Sequence, residues 1–213
     1  VTPNPNRQTR KRLATRQRIS DVATRLFIER GFDAVKVDEI AEAADVSRMT
    51  VFNHFSRKED MFFDLDDEGR EDILAVLHTP NAIRSPIEAL RRFAHRAVAE
   101  RRPYVRFFQP GSGQFMAAIQ ASEPLKARAR AIRDELTDTL TVALVQSTNR
   151  HLPDPAATLA ASLLVATWGV ALVEAYRIFH QDQDVDKANA VFLDLIDRGS
   201  KGVQAALKGT PYR

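Results

Sequence analysis

Between Lys36 and Phe55 the chain reads KVDEIAEAADVSRMTVFNHF, two short apolar-patterned stretches on either side of Asp45-Val46. The first, Asp38 to Ala44, is expected to be a short helix whose leading acids match the helix dipole. Ser47 is a good N-cap for a second, Arg48 to Phe55. Ahead of them, Ile19, Val22, Ala23, Leu26 and Phe27 recur at helical spacing over Arg16 to Arg30, and Gly31 stops that helix in the usual C-terminal manner. Ile40, Ala44, Val51, Phe52 and Phe55 then fall where they can meet Val22, Leu26 and Phe27. Ala41 is small enough for the two short helices to approach closely. A three-helix core with a tight turn between its last two members follows, and few folds accommodate one.

With those positions turned inward, the second short helix presents Arg48, Met49, Thr50, Asn53 and His54 outward. Arg bonds guanine edges bidentately, Asn does the same to adenine, and Thr and Met can touch the thymine methyl. Lys58 falls near the start of a further helix, expected over 57–77, where backbone N–H groups favour a phosphate. This is the form of a helix-turn-helix. A polar surface on an ordinary helical pair has the same spacing, so spacing alone leaves both readings open. Charge adds a second hint: up to Asp60 there are twelve Lys and Arg against nine Asp and Glu, and nineteen of each thereafter. The net charge of +3 therefore lies wholly in the first part of the chain. Arg7, Arg10, Lys11, Arg12, Arg16 and Arg18 all precede the first acid, Asp21, which suggests a polyanionic partner.

The remainder is also helical in pattern. Helices are expected over 86–102, opened by Ser85 and Pro86, over 124–149, over 155–180 behind Asp154, and over 185–207, with short pieces near 104–109 and 114–120. No strand alternation, repeat or Gly-rich phosphate loop occurs, so the expected fold class is all-α, with about nine helices. The absence of cysteine excludes disulfides, thiolate chemistry and Cys-based metal sites. The five histidines show no metal-ligand spacing, and no nucleophile lies in a strained turn, so no enzyme activity, metal or cofactor is expected. The longest apolar run, 160–173, is broken by Ser162, Thr167 and Gly169, short of the ~18 residues of a membrane span. The N-terminal stretch lacks the apolar core of a secretion signal, and the missing initiator Met suggests trimming. A cytoplasmic location without membrane contact is expected.

GFDAVKVDEIAEAADVSRMTVFNHFSRKEDMF follows, position after position, the Gly-Phe, Ile-Ala, Val-Ser, Thr, aromatic, His-Phe, Lys-Glu and hydrophobic pattern of one family. Residues from about Arg16 to Met61 closely resemble the DNA-binding domain of the TetR family of bacterial transcriptional regulators. The resemblance implies that Arg48, Met49, Thr50 and Asn53 face bases, and that His54 and Lys58 mainly clamp phosphates. There are departures. Phe52 stands where many members have Tyr and is read as core, and Asp45 replaces the Gly of the turn. Lys36 stands where Thr or Ser usually caps, which suggests a weaker cap and one extra phosphate contact. Arg10, Lys11 and Arg12, just before the first helix, would form an arm that reaches the adjacent minor groove or slides along phosphates. The implied division is a basic flexible arm over 1–15, a helix-turn-helix domain over 16–60, and a ligand-binding and dimerisation domain over 61–213.

For that last domain the resemblance implies a homodimer on a palindromic operator in double-stranded DNA, with the two reading helices about one DNA turn (~34–36 Å) apart or further. Ala160, Ala161, Leu164, Thr167, Trp168, Ala171, Leu172 and Ala175, with Ala188, Val191, Phe192, Leu195, Ile196 and Val203 on the last helix, are the expected dimer stripes, or else an intramolecular core. Phe93, Tyr104, Phe107, Phe108, Phe115, Met116, Trp168 and Tyr176 are candidate contacts for a small, mostly apolar or aromatic effector. The expected function is a repressor that such an effector releases from its operator by tilting the 57–77 helix. The alternative is a DNA-binding dimer without a small-molecule input, architectural or controlled by another protein.

Overall fold

The computed structural model describes residues 7–64, 66–78, 85–105 and 112–213. These form nine α-helices: α1 (Arg7–Arg30), α2 (Val37–Ala43), α3 (Arg48–His54), α4 (Asp66–His78), α5 (Pro86–Ala99), α6 (Ser112–Ala121), α7 (Glu123–Ser147), α8 (Pro155–Asp182) and α9 (Val185–Ala206). Single 3-10 turns lie at Glu59–Met61 and Pro103–Val105, and there is no strand among the described residues. The fold is all-α.

The capping residues act as their chemistry requires. Ser47 Oγ accepts from the Thr50 N–H at 3.0 Å, Ser85 Oγ from that of Glu88, and Asp184 Oδ1 from that of Lys187 at 2.9 Å. Asp154 Oδ1 takes the N–H groups of Ala156 and Ala157, at 3.0 and 3.3 Å. Gly31 ends α1 at φ +86°, its N–H bonded to Phe27 O, and Phe32 folds back so that its ring lies 4.8 Å from that of Phe27. Asp45 holds the left-handed conformation of the α2–α3 turn, φ 51°, which Asp tolerates better than most residues.

Two element boundaries differ from the sequence reading by more than three residues. First, α1 begins at Arg7, nine residues before the expected start at Arg16 and twelve before Ile19, its first buried residue. RQTRKRLAT contains neither Gly nor Pro and is rich in good helix formers, so the backbone stays helical where no side chain is buried. The stretch expected as a flexible arm is helical from Arg7 onward. Second, the helix expected over 57–77 is interrupted: a single turn at Glu59–Met61 precedes α4. Met61 and Phe62 are both buried, at 0% and 4% exposure, in the core of the first unit.

The described chain divides into two compact units. One comprises the residues up to Asp64 together with Gln114–Ala129, the other 66–113 and Arg130–Arg213. In the first, Ile19, Ala23, Leu26 and Phe27 of α1 pack with Ile40, Ala41 and Ala44, with Val51 and Phe55, with Met61 and Phe62, and with Leu125 of α7. Full burial of each large apolar side chain contributes about 1.5–3 kcal/mol. Helices as short as α2 and α3 persist only through such packing, because helix nucleation is unfavourable on its own.

The second unit joins α4, α5, α8, α9 and most of α7. One cluster is built on Leu90, Leu144, Ala157, Ala161, Val203 and Tyr212, a second on Ala94, Ala171, Ala175, Ala188, Phe192 and Ile196. The α8–α9 crossing is close at Gly199, where an added methyl would lie 2.5 Å from Thr167 Oγ1 and 2.9 Å from its Cβ. The α8 helix is long and apolar enough to cross a membrane, although Ser162, Thr167 and Gly169 suggested otherwise. Here its small side chains, Ala157, Ala160, Ala161, Ala171 and Ala175, are buried within the unit.

Candidate nucleic-acid interface

Val51 on α3 and Phe55, the residue that caps its C-terminus, are 0% and 2% exposed and orient the whole helix. Arg48, Met49 and Asn53 consequently stand on its open side, and Thr50 and His54 are half-buried. Met49 is 69% exposed, a large apolar side chain offered to solvent. Phe52, expected in the core, is 42% exposed. The reason is geometric: Val51 and Phe55 occupy the inner face, and Phe52 lies ~100° round from its neighbour, at the rim. Its ring supports Arg48, whose Cζ is 5.5 Å from the ring centroid.

The polar groups of this face are held by short local contacts. Thr50 Oγ1 and Ser47 Oγ share a hydrogen bond of 2.8 Å. Arg48 Nη1 donates to both oxygens of Asp38, at 3.0 and 2.9 Å. The His54 carbonyl accepts from Arg16 Nη1 at 2.8 Å. Partial burial, and then the charges of Arg12 and Arg16, hold the His54 imidazole below its ordinary pKa, so it is neutral at neutral pH. A neutral ring donates one N–H to a phosphate without adding charge.

Arg16 is a residue that sequence reasoning counted only as one more cation. Its Nη2 pairs with Asp64 Oδ1 at 2.6 Å, and its guanidinium lies 4.4 Å from the Phe55 ring centroid, so it clamps the end of α3 to the middle of α1. The only hint in the sequence is its place one turn before Ile19, at the inner edge of the basic run.

Lys58, expected at a phosphate, is turned inward. Its Nζ donates to the Phe32 carbonyl and lies 4.2 Å from the Phe32 and 5.4 Å from the Phe27 ring centroids. Burial, its largest influence, holds the amine below the ordinary lysine pKa. With α4 starting only at Asp66, Lys58 does not stand at the N-terminus of a long helix, and the loop after α1 gives it a closer acceptor. Lys36 remains exposed at the α2 N-cap. A lysine side chain cannot accept a hydrogen bond; Glu39 instead receives the Lys36 backbone N–H at 2.7 Å and Arg30 Nη2 at 2.6 Å. Those two bonds hold the Glu39 carboxyl below its ordinary pKa. Arg10, Lys11 and Arg12 are exposed on the leading turns of α1.

The residues named for an effector separate into different places. Phe93 stacks between Tyr104 and Trp168, at 6.0 and 5.9 Å, and Phe192 meets Trp168 edge-on at 5.3 Å. Tyr176 packs against the same cluster. Tyr104 donates to Asp72 Oδ2 at 2.8 Å; burial, then that carboxylate, raises its pKa. Phe115 does not join them. It stacks on Phe62 at 4.2 Å with rings 2° from parallel, in the core of the first unit. Met116 is half-buried on α6, and Phe107 and Phe108 lie outside the described residues. No group of metal-ligating side chains occurs among the described residues.

The family model for bacterial regulatory proteins of the tetR family matches residues 19–65, which contain α2, α3 and the second half of α1. The chain is 36% identical over 101 residues to the HTH-type transcriptional regulator TcmR of Streptomyces glaucescens, covering 47% of this chain and 44% of that one. It is 31% identical over 117 residues to the HTH-type transcriptional repressor KstR2 of Rhodococcus jostii, covering 51% and 55%. The chain thus spans about half the length of these two relatives. In fold it is similar to Salmonella enterica GusR, with a TM-score of 0.54 over 92% of this chain and 96% of that one at 22% identity.

Proposed function

We propose that this chain, a member of the tetR family of bacterial regulatory proteins by its N-terminal domain, is a homodimeric repressor that reads a palindromic operator with α3. The observation that carries the reading is the division of α3 and its C-cap into a buried edge, Val51 and Phe55, and an open edge, Arg48, Met49 and Asn53. KstR2 is itself a repressor, which supports the direction of regulation.

Arg10, Lys11 and Arg12 belong to α1, and an α-helix ~10–12 Å across does not enter a minor groove ~6 Å wide. In this reading the extension of α1 rests on phosphates. The dimer surface is the outer stripe of α8. Leu159, Leu163, Val170 and Val173 are 47%, 36%, 60% and 56% exposed, and with Ala166 they recur at the three- and four-residue steps of one helix-packing seam. The stripe expected from sequence, including Ala160, Ala161, Ala171 and Ala175, is instead spent inside the chain.

Regulation would come through a mostly apolar or aromatic effector at Phe93, Tyr104, Trp168 and Tyr176. An effector preferring the DNA-incompetent state ~100-fold moves the equilibrium by about 2.7 kcal/mol. The lever expected over 57–77 is not continuous, because α4 begins at Asp66. The chain also passes between the two units inside α7, at Ala129–Arg130. One observation favours the effector-free reading: Phe93, Tyr104, Trp168 and Phe192 already fill one another's contact faces.

The test is selection of preferred duplexes from a random pool. The wild-type chain is expected to enrich a two-fold symmetric site. Asn53→Ala should relax preference at one position per half-site, worth about 1–3 kcal/mol. A pool that stays random would end the reading. A screen that finds binders, none of which weakens the operator complex, would leave the effector-free dimer.

A further inference from the structure

Arg48 is the first residue of α3, after the Ser47 cap, the end of a reading helix from which base edges are contacted. Asp38 lies in the first turn of α2 and meets it across the turn. Both carboxylate oxygens take the same donor, Arg48 Nη1, at 3.0 and 2.9 Å. The Phe52 ring supports the guanidinium from the side. Each side chain of the ion pair is 61% exposed, and a pair so open to water contributes little to folding. Its consequence is geometric. With Nη1 engaged, the adjacent Nε and Nη2 hydrogens form a two-pronged edge facing away from Asp38, the spacing that matches O6 and N7 of guanine.

Glu39, the neighbouring acid, is occupied by Arg30 and the Lys36 N–H, so among the described residues Asp38 is the carboxylate that addresses Arg48. An acid beside a DNA-facing arginine also opposes loose attachment to phosphates, because it cancels one of the charges that displace counterions.

Resting on the reading of α3 as the DNA-facing helix, we infer that Asp38 is a specificity-determining residue: it orients Arg48 toward a guanine and penalises non-specific binding. Contact with DNA falls to Arg48; Asp38 acts through it as a positioning residue.

The experiment compares Asp38→Asn, Arg48→Ala and the double variant. Dissociation constants are measured for the selected operator and for a scrambled duplex of equal length, across a salt series. Asp38→Asn is expected to tighten the scrambled complex and steepen its salt slope by up to about one unit per subunit. The operator-to-scrambled ratio is expected to fall about tenfold, within the range of one bidentate base contact. In the Arg48→Ala background the same change should cost no further ratio. Duplex selection with Asp38→Asn should lose a guanine at one position per half-site. The inference is overturned if Asp38→Asn tightens both duplexes by one factor, or if its cost in ratio persists without Arg48. A wild-type chain that selects no sequence is a different result, which overturns the reading of α3 itself. Thermal unfolding followed by circular dichroism checks that each variant is folded, and Asp38→Glu, which keeps the carboxylate, should retain part of the ratio.

Discussion

The two compact units use their side chains in opposite ways. In the first, three apolar anchors, Ile40, Val51 and Phe55, are essentially inaccessible, and every polar group of interest stands outside them or is tied to a backbone carbonyl. Arg16 reaches the carbonyl of His54, Ser20 that of Met61, and Lys58 that of Phe32. In the second, α8 carries apolar residues all round. Ala160, Ala161, Ala171 and Ala175 face inward while Leu159, Leu163, Val170 and Val173 remain exposed. Where a proposed function resides in polar groups on an apolar frame, residue chemistry marks the site. Where it resides in apolar surface, core and interface are built from the same residues.

The strongest way to break this contrast is to charge the outer stripe of α8. Leu163→Asp with Val170→Asp places two acids on that stripe and leaves the inward alanines untouched. The expected outcome is a folded monomer by sedimentation, with operator affinity lowered more than about 100-fold once two half-sites no longer act together. A dimer that persists would place the contact elsewhere.

Next in size is the α8–α9 crossing. Gly199→Ala forces a methyl into Thr167 and should cost about 1–3 kcal/mol in chemical denaturation. Gly202, three residues on, has nothing within 4 Å of an added methyl, and Gly202→Ala should stabilise by up to about 1 kcal/mol. Equal effects at the two glycines would mean that the crossing is looser than described.

Lys58→Ala probes the first unit. Its amine satisfies the Phe32 carbonyl, so the change should destabilise by about 1–3 kcal/mol and leave the salt slope of DNA binding unaltered. A slope flatter by about one unit would instead mean that Lys58 swings out to a phosphate when DNA binds.

The smallest effect is an acid one. Hydrogen bonds from Arg91, then Arg92, hold the Glu88 carboxyl at about 2, against an ordinary value of 4.5. The folded pKa is depressed, so the associated stability is full above pH 4.5 and is lost as pH falls toward 2. Glu88→Gln should therefore flatten the acid limb of the melting-temperature profile across that window and leave its neutral limb nearly parallel to the wild type.

Much of the first unit was legible before any coordinates. Ser47, Asp45 and Gly31 act through local backbone chemistry, and Val51 with Phe55 defines an inner face by spacing alone. Phe52 was misplaced because a helix as short as α3 has room for one buried edge, and aromatic character does not say which side of that edge a ring takes. Lys58 was misplaced because a local reading cannot see that α4 starts late or that Phe32 offers a carbonyl. In the second unit, Phe115 was grouped with Phe93 and Trp168 on aromatic character, yet it stacks on Phe62, a partner more than fifty positions away. The alanines of α8 were read as a dimer stripe or else an intramolecular core, and they are buried inside the chain; the choice was open for a related reason, that on a helix apolar on every side, periodicity has no phase.

Linear order sufficed for an all-α chain, the place of its turn and caps, and the exposure of Arg48, Met49 and Asn53, because these depend on neighbours within about one helical turn. Which cation is turned inward, which ring belongs to which core, and which side of α8 is left uncovered depend on partners remote in the chain. Those outcomes arise from packing competition among groups that look alike until the helices are brought together.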